Sequence, residues 1–286
     1  MRYEAPESLD GAVALLAGAT GETRVLAGGT DLLVQMRADM VDPTLIVDIK
    51  KIAETRAVSE DGGGWRIGAA VTGAELKEHP RLKGVWPGLV EAANLIGSTQ
   101  IQGRATLGGN LCNGSPAADS VPALVAAGAV AILAGPGGRR ELPVEDVMLG
   151  PRTLALQKGE IVVAFRLPPR PPRSSDAYLR FIPRTEMDIA VVGAGVSLTV
   201  DEAGTITAAR VSLGAVAPRV LLVPEAAAAI VGSRLDRAAQ DGLEAAARAA
   251  CRPIDDKRGT TEFRVEVAGV LARRAALIAL DRARTR

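Results

Sequence analysis

Two short stretches of small residues carry the chemistry open to this sequence. V-L-A-G-G-T-D-L runs from Val25 to Leu32, and R-A-T-L-G-G-N-L-C-N-G-S-P-A-A-D from Arg104 to Asp119. Each Gly-Gly pair is entered from an apolar run. Glycine has no Cβ and tolerates positive φ, so backbone N–H groups at such turns can converge on phosphate oxygens. Two of them brought together would hold one polyanionic ligand. Neither fits G-x-G-x-x-G or G-x-x-x-x-G-K-[ST], which excludes the common dinucleotide and P-loop arrangements.

Other chemistries find little support. His79 is the single histidine, so a Ser-His-Asp triad or a histidine metal site would hang on it alone. Cys112 and Cys251 are the only cysteines, and without a C-x-x-C the chain cannot hold a four-cysteine cluster or zinc site. Thirty-four basic and 33 acidic residues leave a net charge of +1, and aromatics are 2%. That balance argues against nucleic acid, which asks for a basic face and stacking rings. Arginines collect near the end (Arg273, Arg274, Arg282, Arg284, Arg286), and a solvated helix face explains them better than a binding patch. No apolar run reaches the length of a membrane span and the first residues lack a signal peptide's apolar core, so a soluble, cytoplasmic protein is expected.

The elements that must position the two turns follow from periodicity and punctuation. At 286 residues the chain suits two domains of ordinary size. Ser8 caps a helix bearing Leu9, Val13 and Leu16. A strand at Arg24–Ala27, the first glycine turn, a helix at Leu32–Arg37 and a strand at Thr44–Ile49 form a small α/β unit. Its turn lies at a strand's carboxyl end, where ligands of such units bind. Gly62-Gly63-Gly64 reads as a hairpin tip, since strand-like runs flank it, and Thr72 caps the next helix. Pro87–Ile96 and Val121–Ala127 are expected to be helical, Ala129–Ala134 and Glu160–Leu167 extended. P-P-R-P-P-R-S-S at Pro168–Ser175 is the most linker-like stretch and is taken as the domain boundary. Beyond it, strands at Ala190–Val200 and Ile206–Ala217 precede alanine-rich helices from Glu225 and Asp236. A last helix from about Thr261 is expected to bury Phe263, Val267, Val270, Leu271 and Leu277.

A-G-G-T-D-L at Ala27–Leu32, I-G-S-T-Q-I-Q-G-R-A-T-L-G-G-N-L at Ile96–Leu111, S-P-A-A-D at Ser115–Asp119, M-D-I-A-V-V-G at Met187–Gly193 and D-K-R-G-T-T-E-F-R at Asp256–Arg264 are five ordered motifs spread over almost the whole chain. In them the sequence resembles the FAD-binding medium subunit of the molybdenum hydroxylases, of carbon-monoxide-dehydrogenase-like and xanthine-dehydrogenase-like complexes. The resemblance implies an α+β protein. A two-part α/β FAD-binding domain of the vanillyl-alcohol-oxidase/PCMH type would span 1–170, with subdomains about 1–53 and 54–170. A C-terminal domain of antiparallel sheet and helix cluster would span 176–286.

It also implies that both turns wrap the FAD pyrophosphate. That places Leu26, Ala27, Gly28, Gly29, Thr30, Asp31 and Leu32 from the first turn, and Thr106, Leu107, Gly108, Gly109 and Asn110 from the second, at the cofactor. Asp119 matches a position that hydrogen-bonds the cofactor, and it could equally cap the following helix. Ile96 and Val162 match apolar contacts near the flavin, or serve as plain core. Arg180 matches a position that is often lysine beside the isoalloxazine, with a surface strand residue as the other reading, and Tyr178 could lie against the ring. Asp188 and the Asp256–Arg264 motif suggest structural ion pairs or subunit contacts. The function implied is electron transfer. Substrate is oxidised at a molybdenum cofactor in a large partner, and electrons pass through [2Fe–2S] clusters of a small partner to this subunit's FAD and on to an external acceptor. The usual assembly is a dimer of heterotrimers. The alternatives are a self-sufficient flavin oxidoreductase of the same FAD fold and a flavin-free scaffold.

Overall fold

The computed structural model describes residues 1–286. The chain opens with strands β1 (Arg2–Glu4), β2 (Thr23–Leu26) and β3 (Leu45–Asp48), which form a parallel sheet in the order β1-β3-β2. The expected β–turn–α–β unit is therefore present, flanked by a strand whose short, polar R-Y-E sequence carries no alternating pattern. Ser8 caps the Leu9–Gly18 helix by accepting the Gly11 amide.

A second, antiparallel sheet follows. β4 (Val58–Asp61) and β5 (Gly64–Gly68) are the expected hairpin, with Gly62 and Gly63 at positive φ in its tip. They are joined by β6 (Val130–Gly135) and β7 (Gly138–Pro143). A small separate hairpin, β8 (Met148–Gly150) and β9 (Thr153–Leu154), precedes β10 (Ile161–Leu167), which takes the centre of the order β4-β5-β10-β6-β7. Between β5 and β6 the chain runs through short helices, the first started by a full capping box between Thr72 and Glu75. Ile67, Leu89, Leu107, Leu124 and Phe165 are fully buried between these helices and the sheet. A smaller core (Ala12, Val47, Ile132, Val163) joins the parallel unit to the outer face of the same sheet.

The third sheet is antiparallel: β11 (Ser174–Phe181), β12 (Val192–Val200), β13 (Ile206–Gly214) and β14 (Leu221–Leu222), in sequence order. The Arg237–Ala250 and Thr261–Arg284 helices cover it, so the expected sheet-plus-helix arrangement is observed. The stripe expected on the last helix is buried only in part: Leu271 is in the core and Val267 packs half-buried against it. Phe263 and Leu277 are 42% and 37% exposed, and Ala268, Gly269, Ala272, Ala275, Ala276, Ala279 and Ala283 are buried instead. Small residues let the helix axis approach β11 and β12 closely, which large side chains would prevent.

The segment between the second and third sheets is tied down. Arg170 lies over the Trp86 ring at 3.9 Å, donates to the Val85 carbonyl, and pairs with buried Asp176 at 2.8 Å. Asp176 also accepts the Leu89 amide at the start of the Pro87–Ala93 helix. The C-terminal arginines do more than face solvent. Arg282 donates to Glu91 and to the Asp176 carbonyl, Arg286 to the Val85 carbonyl, and Arg273 to Glu244. Only with the fold in place do their acceptors lie within reach.

Candidate functional site

The first glycine turn leaves β2 at Leu26 and enters the Leu32–Arg37 helix. The amides of Gly28, Gly29, Thr30, Asp31 and Leu32 donate to nothing in the protein, and pairing resumes only with Leu33 to the Gly29 carbonyl. Five successive N–H groups without a protein acceptor are donors open to an anion. Gly29 holds φ +80°, in the left-handed region that favours glycine. Gly28 has a different constraint. A Cβ there would overlap the Arg104 carbonyl oxygen and come within 2.7 Å of its carbon, so the two turns touch backbone to backbone. Behind the turn, Lys50 Nζ donates to the Ala27 carbonyl (2.9 Å) and to Asp48 Oδ2 (2.7 Å), and Tyr3 Oη donates to the same carboxylate (2.6 Å). Burial alone would raise the Asp48 carboxyl, but the bonds from Lys50 and Tyr3 hold it below its ordinary value.

The second glycine stretch differs from the expected open turn: it is the first turn of a helix, Leu107–Cys112. Thr106 caps it, its Oγ1 accepting the Gly109 amide at 2.9 Å. The Gly108 and Asn110 amides go to the Ala69 and Thr106 carbonyls. The Gly108, Gly109 and Asn110 amides are thus engaged within the protein, while the Thr106 hydroxyl, which only accepts there, keeps its own O–H to donate. What glycine provides at Gly108 is proximity, since a Cβ would lie 2.6 Å from the Ala69 carbonyl oxygen. Asn113 links the two stretches, donating to Asp31 Oδ1 (3.1 Å) and accepting from Gln35 Nε2 (2.9 Å). Desolvation raises the Asp31 carboxyl.

Between the stretches lies a cavity of about 440 Å³, within the roughly 300–1,000 Å³ of cofactor sites. Of the residues singled out above, Ala27 to Leu32, Ile96, Thr106, Gly108, Gly109, Asn110 and Val162 line it. Leu26, Leu107, Asp119 and Arg180 do not. Leu26 ends β2, and Leu107 is in the core. Asp119 and Arg180 meet each other instead, at 2.7 Å with side chains 10% and 6% exposed, and Tyr178 Oη donates to Asp119 Oδ1 at 3.1 Å. Arg180 is therefore not a surface strand residue. Nor is Asp119 a helix cap: its backbone is already helical, and its carboxylate accepts no helix amide. Burial pushes the Asp119 carboxyl up to about 6, against the opposing pull of Arg180 and Tyr178. Asp119 stands beside the cavity, because Ser120 holds the cavity-lining Asn110 through Asn110 Oδ1 (2.7 and 3.0 Å).

Sequence patterns did not point to Arg24, Met40 or Val41 on one wall, or to Arg152, Leu154, Leu156 and Glu160 on another. Those residues lie in strand ends and loops without a repeating motif. No group of three or more His, Cys, Asp or Glu could hold a metal ion. His79, the single histidine, accepts the Leu82 amide at 3.1 Å and stands edge-on to Trp65, a structural position. Unpaired amides and apolar residues such as Ile96 and Val162 in one lining suit a phosphate-bearing cofactor.

Comparison with known proteins agrees. Residues 1–170 match the family described as the FAD-binding domain in molybdopterin dehydrogenase, and residues 177–279 the CO dehydrogenase flavoprotein C-terminal domain. The chain is 35% identical to the carbon monoxide dehydrogenase medium chain of Afipia carboxidovorans over 284 residues, covering 99% of this chain and 96% of that one. It is 31% identical over 267 residues to a putative xanthine dehydrogenase FAD-binding subunit of Escherichia coli K12, covering 93% and 91%. Among solved structures, a chain of the cyanide-inactivated Cu,Mo-CO dehydrogenase superposes with a TM-score of 0.94 at 35% identity, covering 99% of this chain and 98% of that one.

Proposed function

We propose that this chain, which belongs to the FAD-binding medium-subunit family of the molybdopterin dehydrogenases, is the electron-transfer subunit of a molybdenum hydroxylase complex. It is an oxidoreductase subunit and its cofactor is FAD. The observation that carries the proposal is the run of five unpaired amides from Gly28 to Leu32, in residues that line the cavity. Bound there, FAD supplies reversible electron uptake, and the protein supplies binding, orientation and electrostatics. The Gly28–Leu32 amides and the Thr30 hydroxyl hold the diphosphate. Ile96 and Val162 provide apolar surface that keeps water from the ring. Tyr178, Asp119 and Arg180 form a buried polar group that, through Ser120 and Asn110, fixes the cavity wall.

The partners are a large subunit carrying the molybdenum cofactor and a small subunit carrying [2Fe–2S] clusters, assembled as a dimer of heterotrimers. Electrons pass from the clusters to this chain's FAD and then to an external acceptor. No helix is long and apolar enough to cross a membrane, in keeping with action in the cytoplasm. A self-sufficient flavin oxidoreductase would need its own acid and base at the cavity. Of the two lining carboxylates, Glu160 is locked to Arg140 at 2.6 and 2.7 Å, which leaves Asp31 alone rather than as half of a pair.

The complex purified from its native cells is expected to contain two further polypeptides, one with molybdenum and one with iron and acid-labile sulfide. Electrons introduced anaerobically into the clusters should bleach the flavin band near about 450 nm. A chain that purifies alone with its flavin and turns over a substrate by itself would contradict this assignment.

A further inference from the structure

Four charged side chains line the cavity: Arg24, Asp31, Arg152 and Glu160. Three are already engaged within the chain. Arg24 pairs with Glu22 at 2.6 Å, Asp31 accepts from Asn113, and Glu160 is gripped in a fork by Arg140. The Arg152 guanidinium makes no hydrogen bond and no ion pair; the residue's one bond is from its backbone amide to the Gly114 carbonyl, at 2.8 Å. That bond docks it beside Asn113, which holds Asp31 in the first glycine turn.

The backbone at this position is the second observation. Pro151 and Arg152 form the two-residue tip between β8 and β9, and Arg152 sits at φ +57°. In a proline-led turn, the following positive-φ position ordinarily goes to glycine or asparagine. Of the six non-glycine residues at positive φ, Arg152 is the one that lines the cavity, and strain kept at a site is a pointer toward function. The contact also leaves little freedom, since a Cβ on Gly114 would lie 2.8 Å from Arg152 Cα.

We infer that Arg152 is a binding residue for the cofactor's diphosphate, supplying from the β8–β9 tip the positive charge that the amides of the first glycine turn do not. The chemistry is that of a guanidinium fork on phosphate oxygens. It offsets Asp31, the lining carboxylate bonded only to a neutral amide, which would otherwise face a dianion. The inference rests on the FAD site proposed above.

The test compares Arg152→Gln, Arg152→Lys and Arg152→Gly with the wild-type full chain. Each is titrated with FAD and with riboflavin, which lacks the diphosphate, at low and high salt. Arg152→Gln should weaken FAD by about 10- to 100-fold, the loss of a charge-assisted bond, and leave riboflavin unchanged. Its FAD affinity should depend less on salt, and Arg152→Lys should recover part of the loss. Arg152→Gly relieves the positive φ, so it should unfold within a few degrees of wild type yet bind FAD as weakly as the glutamine variant. Equal FAD affinity and equal salt dependence in all four proteins would overturn the inference. A wild-type chain that takes up no FAD overturns the underlying site as well, and is recognised because every variant is then equally silent.

Discussion

Replacing Gly28 by alanine is expected to abolish flavin binding and to lower the melting temperature. The new methyl group would overlap the Arg104 carbonyl, a backbone atom that cannot rotate away. Overpacking of this kind costs about 1–3 kcal/mol and sometimes more, and relief requires the two glycine stretches to part. Parting them opens the cavity they enclose, so affinity and stability should fall together. Gly109→Ala is the matched control. There a Cβ meets only the Thr106 hydroxyl, at 3.1 Å, and the residue is helical, where alanine is favoured over glycine by about 0.5–1 kcal/mol. It should melt no lower than wild type. Thermal unfolding of both variants with and without added FAD checks the pair. A Gly28→Ala protein with wild-type melting and full flavin would show that the turns do not depend on this contact.

Asp119→Ala should destabilise the fold by about 3–5 kcal/mol, because it leaves the Arg180 guanidinium buried without its partner. Asp119→Asn, whose one carbonyl oxygen accepts from Arg180 while its amide donates to a reoriented Tyr178 hydroxyl, should cost less. The sign of the pH dependence follows from the raised carboxyl. With a folded value of about 6 against an ordinary 3.8, Asp119 binds its proton more tightly in the folded protein. Its protonation therefore adds stability at low pH, and that contribution is lost as pH rises through about 6. Urea unfolding at pH 5 and pH 8, with Asp119→Asn as the non-titrating reference, should show the wild type losing ground to the variant between the two. No change in that difference would mean that Asp119 is ionised throughout.

Much of the architecture was legible because local signals agreed with tertiary packing. The capped helices at Ser8 and Thr72 and the triple-glycine hairpin all declare themselves through cap or turn chemistry. The last helix was legible too, but most of its buried face was not, because beside Leu271 and Leu280 that face is largely alanine and glycine, which a search for large apolar residues passes over. The two glycine stretches look alike as letters but differ in hydrogen bonding. Nothing in L-G-G-N announces that its amides will be taken by Ala69 and Thr106, contacts that exist only once the helix is docked. Asp119 and Arg180 lie 61 residues apart, so their pairing depends on β11 crossing the helix that begins at Ser120. Arg152 was invisible for a related reason. An arginine in a loop is ordinary until the backbone angle and the cavity beside it are known.

The cavity between the two glycine stretches as an FAD site is tested most directly by the visible absorption spectrum of the purified full chain, after incubation with FAD and removal of the excess. Bands at about 370 and 450 nm are expected, and heat should release free FAD rather than FMN or riboflavin. A chain that stays colourless after that incubation would contradict it.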